Sequence, residues 1–379
     1  MATPAPVALS RLQLTDFRNY RAASLDFDAR LIAFVGDNGA GKTNLLEAIS
    51  LLSAGRGLRR AQLSELTRRD ASGGWSVSAV LQGMDGETRI GTGLAPGGGR
   101  KVRINGADAR SSESLLEYLR VLWLVPSMDG LFTGPAGDRR RFLDRLVLAV
   151  DPGHGRRVGD FEKALRGRNR LLENGGSGPY LDAVEAQIAA LGVAVGVARR
   201  ETVSLLRDLV GTRADDSDPF PRAAITLEGA FETLADSAAA TDLEDRYRAL
   251  LAQGRTRDRA AGRTLEGPHR SDPVVIHTAK AMPAGQASTG EQKALLIGLV
   301  LAHAELTARI ARMTPVLLLD EVAAHLDPRR RQALFARLSA LGLQVFMTGT
   351  DALLFADLPR DAQRFTVTEA TIAVDTPPQ

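Results

Sequence analysis

The sequence predicts an α/β domain that is divided by an inserted block of helices. Two short apolar runs, at 31–35 and 316–319, have the length and continuity of buried strands. A glycine-rich turn follows the first run and opens an apolar-periodic helix that stops near Gly55. Between about residues 139 and 209, apolar side chains recur at helical spacing instead. These observations place a helical block of roughly 70–90 residues inside an α/β domain.

The segments on either side of this block have the patterns of strands. Residues 9–14 and 22–27 alternate between apolar and polar side chains, which predicts half-buried strands. Short strands with glycine turns between 75 and 103 are typical of antiparallel hairpins. The run 121–125 is another predicted buried strand, and strand character returns at 223–228. The predicted domains are 1–125 and 219–379, as two parts of the α/β domain, and 126–218, as an inserted all-helical domain.

The composition is that of a globular protein. The chain has 379 residues, of which 44% are hydrophobic and 25% are charged, and it has no Cys. Disulfides, thiolate zinc sites and Cys-ligated iron–sulfur clusters are therefore excluded. The first residues lack the basic start and apolar core of a signal peptide, and no uninterrupted apolar run approaches the roughly 18 residues of a membrane span. We expect a cytoplasmic protein with no membrane partner.

Arginine dominates the basic residues. The chain has 48 Lys+Arg and 45 Asp+Glu, and only five of the basic residues are Lys. The arginines are grouped locally, which suits a phosphate-rich partner such as DNA; a solvated helix surface is the alternative interpretation. The candidates for DNA contacts are Arg56, Arg59 and Arg60 after the first helix, and Arg139, Arg140 and Arg141 at the start of the helical block. The first three could reach the nucleotide phosphates instead, and the last three could form ion pairs between domains.

Residues 36–43 match the pattern G-x-x-x-x-G-K-[ST] between a buried strand and a helix. Its glycines let backbone N–H groups turn inward around phosphate oxygens, and the helix N-terminus faces the same anion. Lys42 would reach the β- and γ-phosphates, and the Thr43 hydroxyl would ligate Mg²⁺. The segment predicts ATP binding with Mg²⁺ by Gly36, Asp37, Asn38, Gly39, Ala40, Gly41, Lys42 and Thr43.

The second apolar run ends in two carboxylates, Asp320 and Glu321. Asp320 is placed to hold the Mg²⁺ shell, and Glu321 is placed to polarise the attacking water. A strand that ends in Asp-Glu is common alone, but the phosphate loop makes this pair specific. Lys42, Asp320 and Glu321 are therefore the predicted catalytic residues.

A third motif, 287–293, reads ASTGEQK and opens a long apolar helix. Its hydroxyl and N–H groups at a helix start could serve a phosphate, or Ser288 could be a plain N-cap. Together with the later His325-Leu-Asp327, the motifs resemble in order those of the ABC ATPase superfamily. The resemblance implies a P-loop ATPase fold in which the signature of one subunit closes over the ATP of another. Ser288, Gly290 and Gln292 would then act in trans.

The insert discriminates among branches of this superfamily. The gap between Lys42 and Ser288 is much longer than the corresponding gap in transporter subunits, and the insert within it lacks the sustained heptads of an SMC coiled coil. The segments LQLTDFRNY, RRRFLD at 139–144, GPHRSD at 267–272 and STGEQK, with the phosphate loop, resemble the RecF family of recombination and repair ATPases. The implied fold is an ABC-type, SMC head-like ATPase domain with an inserted helical domain and no long coiled coil.

The resemblance implies a slow, DNA-stimulated ATPase that forms a homodimer on ATP. Its DNA would be gapped duplex or single-strand/double-strand junctions, and its partners RecR, RecO and RecA. Two stretches depart from the superfamily pattern: Val125-Pro126-Ser127 lacks the usual Gln, and Met347-Thr348-Gly349 lacks the usual switch His. Both are compatible with weak hydrolysis, in a switch rather than a motor. A transporter-coupled ATPase and a non-hydrolysing nucleotide-bound scaffold remain as alternatives.

Overall fold

The computed structural model describes residues 4–71, 73–83, 86–176, 178–211, 219–237 and 239–375, which group into two compact units. Unit 1 comprises the chain up to Asp129, a short segment ending at Pro221, and the chain from Ser288 onward. Unit 2 comprises the remainder between Gly130 and Ala287.

The described residues form fifteen strands and eight α-helices. The strands are β1 (Ala8–Phe17), β2 (Tyr20–Asp26), β3 (Leu31–Val35), β4 (Trp75–Gly83), β5 (Gly86–Leu94), β6 (Arg100–Ile104), β7 (Ala107–Asp108), β8 (Val121–Leu124), β9 (Ala223–Glu228), β10 (Asp272–His277), β11 (Met282–Pro283), β12 (Val316–Leu319), β13 (Gln344–Gly349), β14 (Gln363–Thr368) and β15 (Thr371–Val374). The helices are α1 (Lys42–Leu51), α2 (Ala136–Val150), α3 (His154–Glu173), α4 (Gly178–Gly211), α5 (Ala230–Ser237), α6 (Leu243–Ala261), α7 (Thr289–Ala311) and α8 (Pro328–Leu341).

The central sheet of unit 1 has the order β15-β14-β3-β13-β12-β8 among the described strands. All of its neighbours pair in parallel except β14 and β15. Every residue of β3, β8, β12 and β13 is buried, as expected for parallel strands covered on both faces. The carboxyl ends of these four strands meet at one edge, which is where open parallel sheets bind ligands.

A second sheet of unit 1 is antiparallel, with the order β2-β1-β4-β5-β6-β7 in the described part of the chain. Its strands alternate between buried and exposed side chains, because only one face is covered. The hairpins predicted between 75 and 103 are β4, β5 and β6 of this sheet. The sheet places Asn19, between β1 and β2, and Tyr20, the first residue of β2, against the phosphate loop.

Unit 2 contains helices α2–α6 and also the small sheet β11-β10-β9. It extends beyond the predicted end at residue 218, and residues 212–218 lie outside the described chain. The difference arises because β9 pairs with β10, and α6 packs on α3 and α4. Buried apolar side chains of these helices, including Phe161, Ile188 and Tyr247, form its core.

Two of the described helices, α4 and α7, have the length and mean hydropathy of membrane-crossing segments, although neither contains an uninterrupted apolar run of that length. Their most apolar windows have a mean hydropathy of 1.6. In α7, 72% of that window is buried, and in α4 44% is buried. A helix that is apolar on most sides is also the pattern of a core helix.

Candidate nucleotide site

The phosphate loop connects β3 to α1, as predicted, and its shape depends on its first and last glycines. A Cβ at Gly36 would overlap the backbone carbonyl of Val367, and Gly36 has a φ of 157°. Gly41 has a φ of 117°, and a Cβ there would lie 2.6 Å from the Tyr20 hydroxyl. Neither conformation is open to an L side chain at normal cost. The loop backbone therefore lies closer to its neighbours than any other residue type permits.

Lys42 folds back over the loop that precedes it. Its Nζ donates hydrogen bonds to the carbonyl oxygens of Gly36, at 2.6 Å, and Asp37, at 2.8 Å. Burial lowers the pKa of Lys42, and the carboxylates of Glu321, Asp320 and Asp37 oppose that shift. The ammonium group is thus partly desolvated, which strengthens its attraction to phosphate oxygens.

Three elements bring their polar ends together beside Lys42. The Thr43 hydroxyl, at the start of α1, donates to the Asp320 carboxylate at 2.9 Å from Oδ1. Asp320 follows β12, and its Oδ1 also accepts from the Thr348 hydroxyl of β13 at 2.7 Å. The backbone N–H of Glu321 in turn donates to the Thr348 hydroxyl at 3.0 Å. The predicted residues Thr43, Asp320 and Glu321 therefore lie in one hydrogen-bonded group.

Thr348 is a site residue that the sequence argument did not assign. It lies in the stretch that departs from the superfamily's switch residue, and its side chain is buried. Its single hydroxyl donates to the Asp320 carboxylate and accepts from the backbone N–H of Glu321. Glu321 has a left-handed backbone with a φ of 53°, which Thr348 helps to hold. A hydroxyl near the end of a buried strand was the available signal.

The donor set fits Mg²⁺. The Thr43 hydroxyl and the Asp320 carboxylate are hard oxygen ligands that already lie within 3.2 Å of each other. Mg²⁺ is usually held by one or two such protein oxygens together with water and substrate phosphates. No group of three or more His, Cys, Asp or Glu residues suited to another metal lies in the described part of the chain.

A buried ion pair holds α1, the helix that follows the phosphate loop. Glu47 of α1 is fully buried, and Arg18 donates to both of its carboxylate oxygens, at 2.8 and 2.9 Å. Arg59 donates to Glu47 at 3.1 Å and to the Asn44 side chain at 2.6 Å. Of the three arginines predicted to meet DNA or phosphate after α1, Arg59 is thus tied to α1. The other two, Arg56 and Arg60, are exposed.

The signature motif forms the N-terminus of α7. Ser288 is the N-cap residue, and its N–H and hydroxyl donate to Glu291 at 3.1 and 2.9 Å in a capping box. Ser288 and Gly290 are exposed, whereas the Gln292 side chain is buried. Two of the three residues predicted to act in trans thus face solvent, and Gln292 faces the interior.

The signature helix is also tied to the strand end that lacks the usual Gln. Lys293 of α7 is buried and forms an ion pair with Asp129 at 3.2 Å. Asp129 follows β8, and the nearby Ser127 is exposed. Arg330 of α8, three residues after Asp327, donates to the Gly290 carbonyl at 3.5 Å. The end of β8, the signature and α8 are therefore in contact within unit 1.

The predicted DNA contacts of unit 2 have internal partners. Arg139 donates to both carboxylate oxygens of Asp272, each at 2.7 Å. Arg141 pairs with Asp138 of its own helix. Arg140 donates to the backbone carbonyl of Ser271 at 2.9 Å. The three neighbours therefore differ, because only Arg140 has no carboxylate within ion-pair distance among the described residues.

The parallel sheet, the phosphate loop and the Asp-Glu strand end define an ABC-type ATPase fold. The sequence pattern of the RecF/RecN/SMC N terminal domain matches residues 8–372. The chain is 58% identical over 373 residues to "DNA replication and repair protein RecF" of Mesorhizobium japonicum, covering 97% of this chain and 98% of that protein. A protein of the same name from Rhizobium etli is 56% identical over 97% of this chain and 99% of its own length.

The solved structures agree with this class. A structure described as the recombination mediator protein RecF-ATPrS in the RecFOR pathway has a TM-score of 0.87 at 24% identity, covering 99% of this chain and 100% of its own. An Smc head domain from Pyrococcus furiosus has a TM-score of 0.55 at 15% identity, covering 97% and 96%. Because these identities are low, they establish the fold alone. The chain belongs to the RecF family, and the predicted fold class is confirmed.

Proposed function

We propose that this chain is an ATP-dependent DNA-binding protein of recombination and repair that dimerises on ATP at gapped or junction DNA. It would act in the cytoplasm with RecR and RecO to help place RecA on single-stranded DNA, as its family membership suggests. The observation that carries the proposal is the grouping of Lys42, Thr43, Asp320 and Glu321 at one edge of the central sheet, with Ser288 and Gly290 exposed.

Each residue of the group has a distinct task in ATP hydrolysis. Lys42 neutralises charge on the β- and γ-phosphates once they displace its two carbonyl partners. Thr43 and Asp320 would hold Mg²⁺, which would supply charge neutralisation at the phosphates when bound. Glu321 accepts a proton from the attacking water as general base. Thr348 fixes the carboxylate of Asp320 and the backbone of Glu321.

The exposed signature explains why hydrolysis would be slow in the monomer. The α7 N-terminus offers backbone N–H groups and a positive dipole end, which favour a phosphate anion. Ser288 and Gly290 present that end to solvent. A second copy that supplies its ATP to this end would complete both sites, so that nucleotide and dimer stabilise each other.

The first experiment measures the solution mass of Glu321→Gln with and without ATP and Mg²⁺. Removing the general base should preserve ATP and therefore shift the protein from monomer to dimer. Ser288→Arg, added to Glu321→Gln, should abolish the shift because a bulky cation occupies the signature surface. Loss of the Ser288 cap costs about 1 kcal/mol, so nucleotide binding by the double variant is the control for folding.

An ATP-bound protein whose mass does not change would contradict the trans arrangement. Phosphate release is then compared with and without gapped duplex DNA. Stimulation by DNA supports a DNA-dependent ATPase, whereas nucleotide binding without any release would favour the non-hydrolysing scaffold. Lys42→Ala, which removes the phosphate-binding cation, sets the background of both assays.

A further inference from the structure

Two arginine-containing segments, 139–144 and 267–272, lie more than 120 residues apart in the chain and meet in unit 2. Arg139 holds Asp272 through two hydrogen bonds of 2.7 Å, and Arg140 donates to the Ser271 carbonyl at 2.9 Å. Arg199 of α4 joins them, because it donates to the Pro268 carbonyl at 2.6 Å. The loop 267–272 is therefore held by three guanidinium groups from two helices.

The carboxylates at this junction are already engaged. Asp144 accepts two hydrogen bonds of 2.8 Å from Arg199 and one of 2.8 Å from His154. Asp272 is held by Arg139 on both oxygens. A third carboxylate, Glu232, accepts from the Ser271 hydroxyl at 2.7 Å and forms no ion pair with an arginine of the described chain.

Arg140 and Arg270 are left without a carboxylate. Arg270 is exposed, and no side-chain hydrogen bond or ion pair connects it to the described residues. Arg140 is half-buried and has one backbone acceptor for its five N–H donors. Burial lowers the pKa of Arg140, and the positive charges of Arg199 and Arg270 lower it further, against the effect of Asp272 and Asp144. Four guanidinium groups thus share two carboxylates.

The neighbouring histidine, His269, does not offset the positive charge of these arginines. His269 contacts the Thr264 carbonyl through Nε2 at 3.0 Å, and burial lowers its pKa to about 4. It is therefore neutral near pH 7. Arg140 and Arg270 have no carboxylate partner within the described chain and lie beside the buried Arg199. This local excess of positive charge favours the binding of an anion.

We propose that Arg140 and Arg270 form a phosphate-binding site for the backbone of DNA, with Arg139 and Arg199 as the residues that position the loop. Guanidinium groups bind phosphate oxygens through paired N–H donors, which suits this ligand better than a point charge would. The site depends on the proposed DNA binding of the chain. It assigns different tasks to the consecutive arginines 139 and 140, and it adds Arg270.

The test compares wild type, Arg140→Gln and Arg270→Gln for binding to a gapped duplex over a series of KCl concentrations. Each variant should bind roughly tenfold more weakly at low salt. Each should also lower the slope of log affinity against log salt by about one, because one phosphate contact is lost. Arg200→Gln is the matched control, since it removes a half-buried arginine of the same unit that is paired with Asp236. The control should keep the wild-type slope.

Wild-type affinity and slope in both variants would overturn the proposal. A second measurement separates this failure from a failure of DNA binding as such. Sulfate should raise the melting temperature of wild type more than chloride does at equal ionic strength, and Arg270→Gln should lose part of that increment. The phosphate loop contributes equally in both proteins. A sulfate increment unchanged by Arg270→Gln would mean that no anion site exists here, whether or not the wild type binds DNA.

Discussion

At the scale of single residues, Thr348 connects the side-chain carboxylate of Asp320 to the backbone of Glu321. Its hydroxyl can donate only once, and Asp320 receives that proton at 2.7 Å. The lone pairs that remain accept the Glu321 N–H at 3.0 Å. A valine has the same shape but can do neither, so it would leave the Glu321 N–H without its acceptor and would deprive Asp320 of one donor, while the Thr43 hydroxyl remains.

We therefore expect Thr348→Val to lower kcat for ATP by roughly 10–100-fold, as is typical when a supporting hydrogen bond to a metal ligand is lost. Half-saturation should also require more Mg²⁺. Steady-state phosphate release over a Mg²⁺ series measures both effects. Thr350→Val, at the exposed residue two positions on, is the matched control and should hydrolyse ATP normally. Equal activity in the two variants would remove Thr348 from the site.

The phosphate loop and the Asp-Glu strand end could be predicted from the sequence because their signals are local. A glycine pattern, a buried run and an adjacent helix all fall within twenty residues of Lys42. The task of Thr348 depends on the register that pairs Leu319 with Met347 across two strands, which no local pattern contains. The same holds for Arg139, whose partner Asp272 is 133 residues away. Its prediction as a DNA contact could not anticipate that pairing.

At the scale of elements, two glycines of α4, Gly192 and Gly196, leave room for aromatic rings to pack against the helix backbone. The ring of Phe231, from α5, lies where a Cβ of Gly196 would be, and Tyr247 and Phe161 lie within 3 Å of a Cβ at Gly192. Two of these three aromatic residues, Phe231 and Tyr247, are fully buried and contact each other edge to face. Close approach of the rings to the helix backbone therefore requires glycine.

Gly196→Ala should destabilise the protein by about 1–3 kcal/mol, since an overpacked core must shift the Phe231 ring. This sign is opposite to the usual gain from replacing a helical glycine by alanine. Gly159→Ala in α3 is the matched control, because no atom lies within 4 Å of its Cβ position. It should stabilise by up to about 1 kcal/mol. Urea unfolding of both variants measures the difference in the free energy of unfolding. Two effects of equal sign would contradict the close packing of Phe231 on Gly196.

At the scale of the whole molecule, the free energy of unfolding should depend on pH through His269. Its folded pKa of about 4 lies below the unfolded value of 6.5, so folding favours the neutral ring. The unfolded chain takes up a proton first as the pH falls. The contribution of His269 is thus complete above pH 6.5 and is lost progressively as the pH falls from about 6.5 to 4.

Thermal unfolding measured from pH 7 to pH 4 should show this loss, and His269→Gln should lack it. The comparison isolates His269 because the other titrating groups are common to both proteins. Burial raises the pKa of Asp144, but His154 and Arg199 lower it by more. The stabilisation that Asp144 provides is therefore lost only at still lower pH. Parallel curves for wild type and variant would contradict a buried neutral ring at this position.

The extent of the inserted unit was the part of the architecture that the sequence described least well. The helical periodicity correctly located α2–α4, but it ends before β9. The pairing of β9 with β10 and the packing of α6 then return the chain to the same unit. Such long-range pairing has no compositional marker, so the change from helical to strand pattern predicts a domain end at a place where the unit continues.

The strand order of the central sheet has a consequence for synthesis on the ribosome. β3 lies between β13 and β14, and these neighbours are complete only when residues 349 and 368, respectively, have been made. At about 5–20 residues per second, the apolar strand at 31–35 waits roughly 20–70 s for its partners. During that time its apolar side chains and unpaired edges can meet other nascent chains. β8, at 121–124, likewise waits for β12, so chaperone dependence during translation should be set by these early apolar strands, long before any ATP is bound.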